Sequence, residues 1–244
     1  METTAGREAL ISEAISFFDG QGHDFSRYDN DGDGEIDYFL VFWAGPHGEW
    51  AEFWWGYKTT YRNANYRVDG KSLGAYSWQW ESRDYPGPFS ARTAIHETGH
   101  ALGLPDFYDY DDATGPMGGT GRLGMMGGSL GDHNCFSKFL LGWTTPSINN
   151  EGSVDVSLDA ADVQPDAALL MHGDPQDGPF GEYFMTEYRR QQGNDLVIPD
   201  QGLVIWHVDA RLSEEGYFLY DNSFTDHKLL RLMEADGLEE IEQG

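Results

Sequence analysis

The spacing of apolar positions divides the chain into a helical beginning, an irregular middle and a strand-rich remainder. Residues 7–18 (REALISEAISFF) repeat apolar side chains at helical intervals and predict an amphipathic helix. Tyr38–Ala44 (YFLVFWA) is a continuous apolar and aromatic run, the pattern of a buried central strand. Residues 45–74, rich in Gly, Trp, Tyr and Asn, read as irregular with short strands. Ala75–Glu81 (AYSWQWE) alternates in character and reads as an edge strand. A Pro/Gly turn at 84–88 precedes a helix with Ser90 as its expected N-cap, running to about Leu102. A glycine-rich loop over 103–131 leads to a second helix at about 132–142. After Pro146 come expected strands at Gly152–Leu158, Ala168–His172, Glu182–Arg189 and Gly202–Val208, the last two forming a hairpin. The expected class is mixed α/β (α+β).

Composition narrows the function classes. The chain has 244 residues and a formal net charge of −27, from 42 acidic and 15 basic residues. Phosphate recognition needs clustered Lys and Arg, so nucleic acid is not an expected partner. The charge suits calcium, basic substrates or a well-solvated surface. Cys135 is the single cysteine, which excludes an intrachain disulfide and a cysteine-based zinc site. No apolar run reaches the roughly 20 residues of a membrane-spanning helix. The start, METTAGREALISEA, lacks the pattern of a signal peptide and reads as the beginning of a domain excised from a longer protein. The length allows one large domain or two lobes sharing a cleft.

The chemistry concentrates at HETGH, residues 96–100. On a helix His96 and His100 lie one turn apart on one face, with Cβ atoms about 5–6 Å apart. Two imidazoles so placed can share one zinc ion and leave positions for a third ligand and a water. Glu97 is placed to take a proton from that water, acidified to a pKa near ~7, and to return it to a leaving amine. Gly103 permits the sharp reversal that ends the helix, and Leu104-Pro105 then bring Asp106 towards the metal. The whole segment fits H-E-x-x-H-x-x-G-x-x-D. A capped amphipathic helix with solvent-facing His and Glu is the competing structural reading.

With that long motif in place, the sequence resembles the immune-inhibitor-A-like (M6) zinc metallopeptidases, relatives of the metzincins. Gly124-Met125-Met126-Gly127-Gly128-Ser129 is similar to the family's methionine-containing turn, with Met126 the better match, although core packing also explains a Met pair. Asp24–Asp29, Ser137-Lys138 with Leu141–Trp143, Glu182–Phe184 with Glu187, and Gly202–Asp209 resemble further blocks, so the likeness spans about residues 5–240. It implies a metzincin-like catalytic domain over 1–244. An upper lobe, to about residue 106, would hold a twisted mixed sheet and the active-site helix; a strand-rich lower lobe would cover about 107–244. It also implies zinc-dependent hydrolysis of protein or peptide substrates, with extended substrate pairing along Ala75–Glu81, and a secreted or cell-surface location. Asp106 fits the third-ligand position, and Glu187 is the alternative ligand or a partner behind the ligands.

Asp29-Asn30-Asp31-Gly32-Asp33-Gly34-Glu35-Ile36-Asp37 supplies carboxylates at loop positions 1, 3, 5 and 9. Gly34 stands at position 6, and Glu35 can offer its carbonyl at position 7, as in a calcium-binding loop. The departure is Leu40, which stands at position 12 in place of a bidentate Glu. An ion-free turn held by side-chain-to-backbone bonds is the alternative. Of the other histidines, His47 follows the apolar strand and is a cleft candidate. His133, after the methionine turn, is a candidate for approaching an oxyanion. The Trp-rich segment around Trp50, Trp54, Trp55, Trp78 and Trp80 suits a groove or lobe packing equally. Two readings of another class compete with the enzyme: a silent peptidase-like binding module, and a calcium-dependent adhesion module.

Overall fold

The helical spacing near the start does form a helix, α1, which extends beyond the pattern to cover Thr4–Gly20. The Thr3 hydroxyl caps it by accepting the Gly6 N–H at 3.1 Å. The computed structural model describes residues 3–46, 55–82, 85–111, 118–128, 130–149, 152–164, 166–171, 178–224, 227–238 and 240, with the backbone alone for 168–171. The chain divides into two compact units, Met1–Gly103 and Leu104–Gly244. Among the described residues each holds one sheet, and the architecture is mixed α/β. None of its described helices is long and apolar enough to cross a membrane.

In the first unit β1 (Glu35–Trp43), β2 (Tyr57–Thr60) and β3 (Ser72–Trp80) form a sheet in the order β1-β3-β2. β1 runs parallel to β3, and β2 antiparallel. This reverses two expectations. The apolar run of β1 lies at an edge of the sheet, among the described residues, while Ala75–Glu81 falls mostly in the middle strand. Alternation misled because the polar positions of β3 are buried rather than solvated. The Ser77 hydroxyl accepts a hydrogen bond from the Tyr38 hydroxyl at 2.6 Å, and the Gln79 amide donates to the Ser90 carbonyl at 3.3 Å. A buried polar group with a partner costs little, so polar spacing alone does not mean exposure.

The opposite positions of β3, Tyr76 and Trp78, enter a core with Ile11 of α1, Ile36 and Leu73. α1 is held there by polar contacts too. Arg7 Nε donates to the Tyr76 hydroxyl at 2.8 Å, and the Glu8 carboxylate accepts the N–H groups of Arg62 and Asn63. The second helix, α2 (Arg92–Ala101), begins after Ala91, which makes no side-chain cap. Ser90 is therefore not the N-cap expected; its carbonyl is engaged by Gln79 instead.

In the second unit a short helix, α3 (Cys135–Leu140), starts at Asn134, whose side chain accepts the Ser137 N–H at 2.8 Å. It is shorter at both ends than the sequence predicts. Five strands follow: β4 (Ser147–Asn149), β5 (Ala168–Met171), β6 (Glu182–Arg189), β7 (Gly202–Asp209) and β8 (Leu230–Leu232). They pair in sequence order, β4 and β5 parallel and the rest antiparallel, so the expected β6–β7 hairpin is present. Residues 152–158 form no strand, because Ser147–Asn149 takes the edge of β5 and Val154 and Val156 stay exposed. Met126, Phe136, Met185, Trp206, Val208 and Leu230 lie at the centre of this unit's core.

Asn222, fully buried, ties that core together. Its amide nitrogen donates to the carbonyls of Phe107, Gly118 and Leu230, and its oxygen accepts the Leu230 N–H. Asn222→Ala strands several buried backbone groups. It is expected to lower unfolding stability by at least about 2 kcal/mol, read by urea denaturation, where a neutral surface change gives under about 0.5 kcal/mol.

Candidate metal centre

α2 is keyed to the sheet before it presents any ligand. The Thr98 hydroxyl bonds the Ala94 carbonyl at 2.6 Å and lies 3.2 Å from the Tyr38 hydroxyl, which also reaches Ser77. This fixes the rotation of the helix, with Ala94, Glu97 and Gly99 turned inward and His96 and His100 half-exposed. The two imidazoles stand edge to face, with ring centroids 4.8 Å apart. Glu97 is 7% exposed.

The helix ends as its sequence demands. The N–H groups of Leu102 and Gly103 bond the carbonyls of Thr98 and His100, and Gly103 takes φ +98°. Nothing crowds a Cβ at Gly103, so backbone conformation alone calls for glycine there. Within the continuous stretch 92–106, one ligand atom each from His96, His100 and Asp106 lies within 4.8 Å of the others. Two imidazole nitrogens and a carboxylate oxygen have the chemistry of a zinc donor set, and their mutual proximity makes the trio a candidate for holding one metal ion.

Asp106 is itself buried and positioned. The Tyr110 hydroxyl donates to its Oδ2, and the Tyr110 N–H bonds Ser223 Oγ at 3.1 Å. Burial, and then the adjoining carboxylate, push the Tyr110 phenol well above its ordinary pKa. Sequence reasoning missed Tyr110; the signal was an aromatic residue four positions after the carboxylate in DFYDY. The Phe107 N–H bonds the Met126 carbonyl at 2.9 Å, joining the segment after Asp106 to the methionine turn. Met126 is fully buried. Gly124 has φ +95°, and a Cβ on Gly128 would lie 2.4 Å from the Arg122 Cβ, so the turn admits no side chain at 128.

Of the acidic loop, Asp29, Asp31 and Asp37 come together, with one oxygen each within 4.8 Å. Asp33 and Glu35 do not join them. Asp33 Oδ1 accepts the Glu35 N–H at 2.8 Å, and Glu35 begins β1 beside Gly74. Asp29 accepts the N–H groups of Gly32 and Gly34 and the Lys71 ammonium at 2.6 Å, and Lys71 foremost holds its carboxyl below the usual range. Lys71 went unread in the sequence because it stands far along the chain from the loop.

The remaining candidates have other duties. Glu187, 1% exposed, accepts the Trp206 indole N–H at 3.0 Å and lies 3.8 Å from Arg189; burial raises its pKa, against Arg189. The trio contains Asp106 and not Glu187. His133 is buried edge-on to Trp143 ahead of α3. Burial raises the Cys135 thiol far above its ordinary pKa, which keeps it protonated. Trp78 is core and Trp55 exposed, while His47, Trp50, Trp54, Ser129 and His172 lie outside the described residues.

No family model matches the chain, and no curated protein matches it.

Tyr110→Phe is expected to weaken zinc affinity about ten-fold, in the range for losing an outer hydrogen bond to a ligand. Asp106→Asn should weaken it further. Competition with a chromophoric chelator reads both, with circular dichroism to check folding.

Proposed function

We propose that the protein is a zinc-dependent endopeptidase, with the metal held by His96, His100 and Asp106 and with Glu97 as general base and acid. The observation that carries this reading is the convergence of two imidazoles and a carboxylate, beside a buried glutamate on the same helix. The resemblance to the immune-inhibitor-A-like (M6) metallopeptidases supports it through HETGHALGLPD and the Met126 turn. With the resemblance come the proposals of a metzincin-like domain and of a secreted or cell-surface location.

Zinc held at this donor set supplies Lewis acidity, which polarises a substrate carbonyl and brings the pKa of a water near ~7. Glu97, one position beyond His96, receives the proton of the attacking water and delivers it to the leaving amine. Its burial keeps bulk water from competing for that proton. An extended substrate adds along β2, which is an edge of the first unit's sheet among the described residues. β2 replaces Ala75–Glu81 in this role, since β3 is flanked on both sides. Gly56, just before β2, lets the chain approach Thr93 of α2 closely: a Cβ there would lie 2.1 Å from the Thr93 methyl.

The Asp29, Asp31 and Asp37 group is proposed as a structural calcium site, in which the ion takes over charge that Lys71 now offsets. Calcium should raise the melting temperature of the wild-type chain, and a chain with Asp31→Asn and Asp37→Asn should show no such rise in differential scanning calorimetry.

Glu97→Gln tests the enzyme reading directly. The variant is expected to retain zinc, measured by atomic emission, while casein cleavage falls roughly 10²–10⁴-fold, the worth of a general base. A zinc-loaded wild-type chain that cleaves neither casein nor gelatin would give the site to a binding module. Equal cleavage by the variant would remove Glu97 from the mechanism.

A further inference from the structure

β1 has the side chains of a central strand and the position of an edge strand. Phe39, Val41 and Trp43 pack on the first unit's core, whereas Leu40 and Phe42 are each 41% exposed. Only β3 pairs with β1 among the described residues. Edge strands are ordinarily kept short or blunted with Lys, Pro or a bulge. Across Tyr38–Trp43 there is no charge and no proline. A cleft of about 500 Å³ runs along this edge, lined by Ala14 and Phe18 of α1, by Phe25 and Tyr28, and by both faces of β1, including Leu40 and Phe42.

We propose that the outer edge of β1 at Tyr38–Phe42 docks an added strand, an extended apolar segment of another polypeptide, parallel to β1 and basic at its N-terminal end. Backbone groups along an open edge call for a strand rather than a helix or a small molecule. Apolar character on both faces of β1 is the signature of a strand inside a parallel sheet, and β1 already pairs in parallel with β3. The basic end follows from charge. Asp29, Asp31, Asp33, Glu35 and Asp37 crowd the start of β1, where the Lys71 ammonium pairs with Asp29. A divalent cation in that loop would leave it negative. The same charge disfavours a second copy of this chain, since each copy carries −27. This inference rests on the sheet and the cleft, and it stands whether or not the metal centre hydrolyses peptides.

The probe is a synthetic nine-residue peptide of Val and Ile carrying two lysines at its N-terminus, tested beside a version with glutamates in their place. Fluorescence anisotropy should show saturable binding of the lysine peptide, at least about ten-fold tighter than the glutamate peptide at low salt, with the gap narrowing at high salt. Binding should slow amide exchange along residues 36–43 and raise the melting temperature with peptide concentration. Leu40→Lys and Phe42→Lys, both at exposed positions, should weaken binding about ten-fold without altering the circular dichroism spectrum or zinc content. Absence of saturable binding, or equal binding by both variants, overturns the proposal. So does self-association of the wild-type chain in sedimentation that Leu40→Lys abolishes, because a second copy would then own the edge.

Discussion

A carboxylate six residues beyond one imidazole and ten beyond the other has to turn back towards both, and the local structure on either side of Gly103 is shaped by that reversal. An α-helix carries each successive side chain further along its axis. Asp106 therefore reaches the face of His96 and His100 only if the helix stops and the backbone doubles back. Gly103 supplies the left-handed turn. The Phe107 N–H is then secured on the Met126 carbonyl, and the Phe107 carbonyl on Asn222. Tyr110 holds the carboxylate itself. Each is a strong local restraint on a short segment, and together they hold a buried carboxyl group in place.

Buried polar groups, more than apolar ones, set the orientation of the functional elements. Thr98, Tyr38 and Ser77 form a hydroxyl chain that settles which face of α2 turns outward. Apolar packing would tolerate a modest rotation of the helix, but hydrogen bonds have narrow angular limits. Arg7 and Glu8 act likewise for α1, where they lie as deeply buried as Ile11. In the second unit Glu187, Arg189 and Asp195 form a comparable ionic group, which accounts for a carboxylate that otherwise invites a metal-ligand assignment. Breaking such a group by removing one member leaves a buried charge uncompensated, so these positions constrain the fold even where they take no part in chemistry.

Charge ties the acidic loop to the first unit's sheet. The loop closes on itself through Asx-type bonds to the N–H groups of Gly32, Gly34 and Glu35, and it feeds directly into β1. Lys71, next to β3, joins the same cluster and links the beginnings of the two parallel strands. The clustered carboxylates of the loop, the register of β1 against β3, and the negative charge at the start of an apolar strand thus come from the same few residues.

How much of this was legible beforehand depends on the range of the interaction concerned. HETGH on a helix, the turn at Gly103, the return of Asp106 and the β6–β7 hairpin were readable because each is decided within about a dozen residues, by period, φ preference or turn chemistry. Three of the loop's carboxylates were readable for the same reason. Strand order was not: YFLVFWA reads as central and AYSWQWE as peripheral, because pattern registers polarity but not the partners that let Ser77 and Gln79 be buried. Lys71 and Asn222 were invisible, since both act across long stretches of chain, and Tyr110 left only the faint signal of an aromatic residue four positions after the carboxylate. Glu187 shows the converse, a suggestive carboxylate whose role only Trp206 and Arg189 define. By itself the sequence determined the local chemistry of the helix that carries His96, Glu97 and His100 and the turn that brings Asp106 back; which strand lies at a sheet edge among the described residues, and which polar groups are buried, were decided by tertiary contacts that no local pattern encodes.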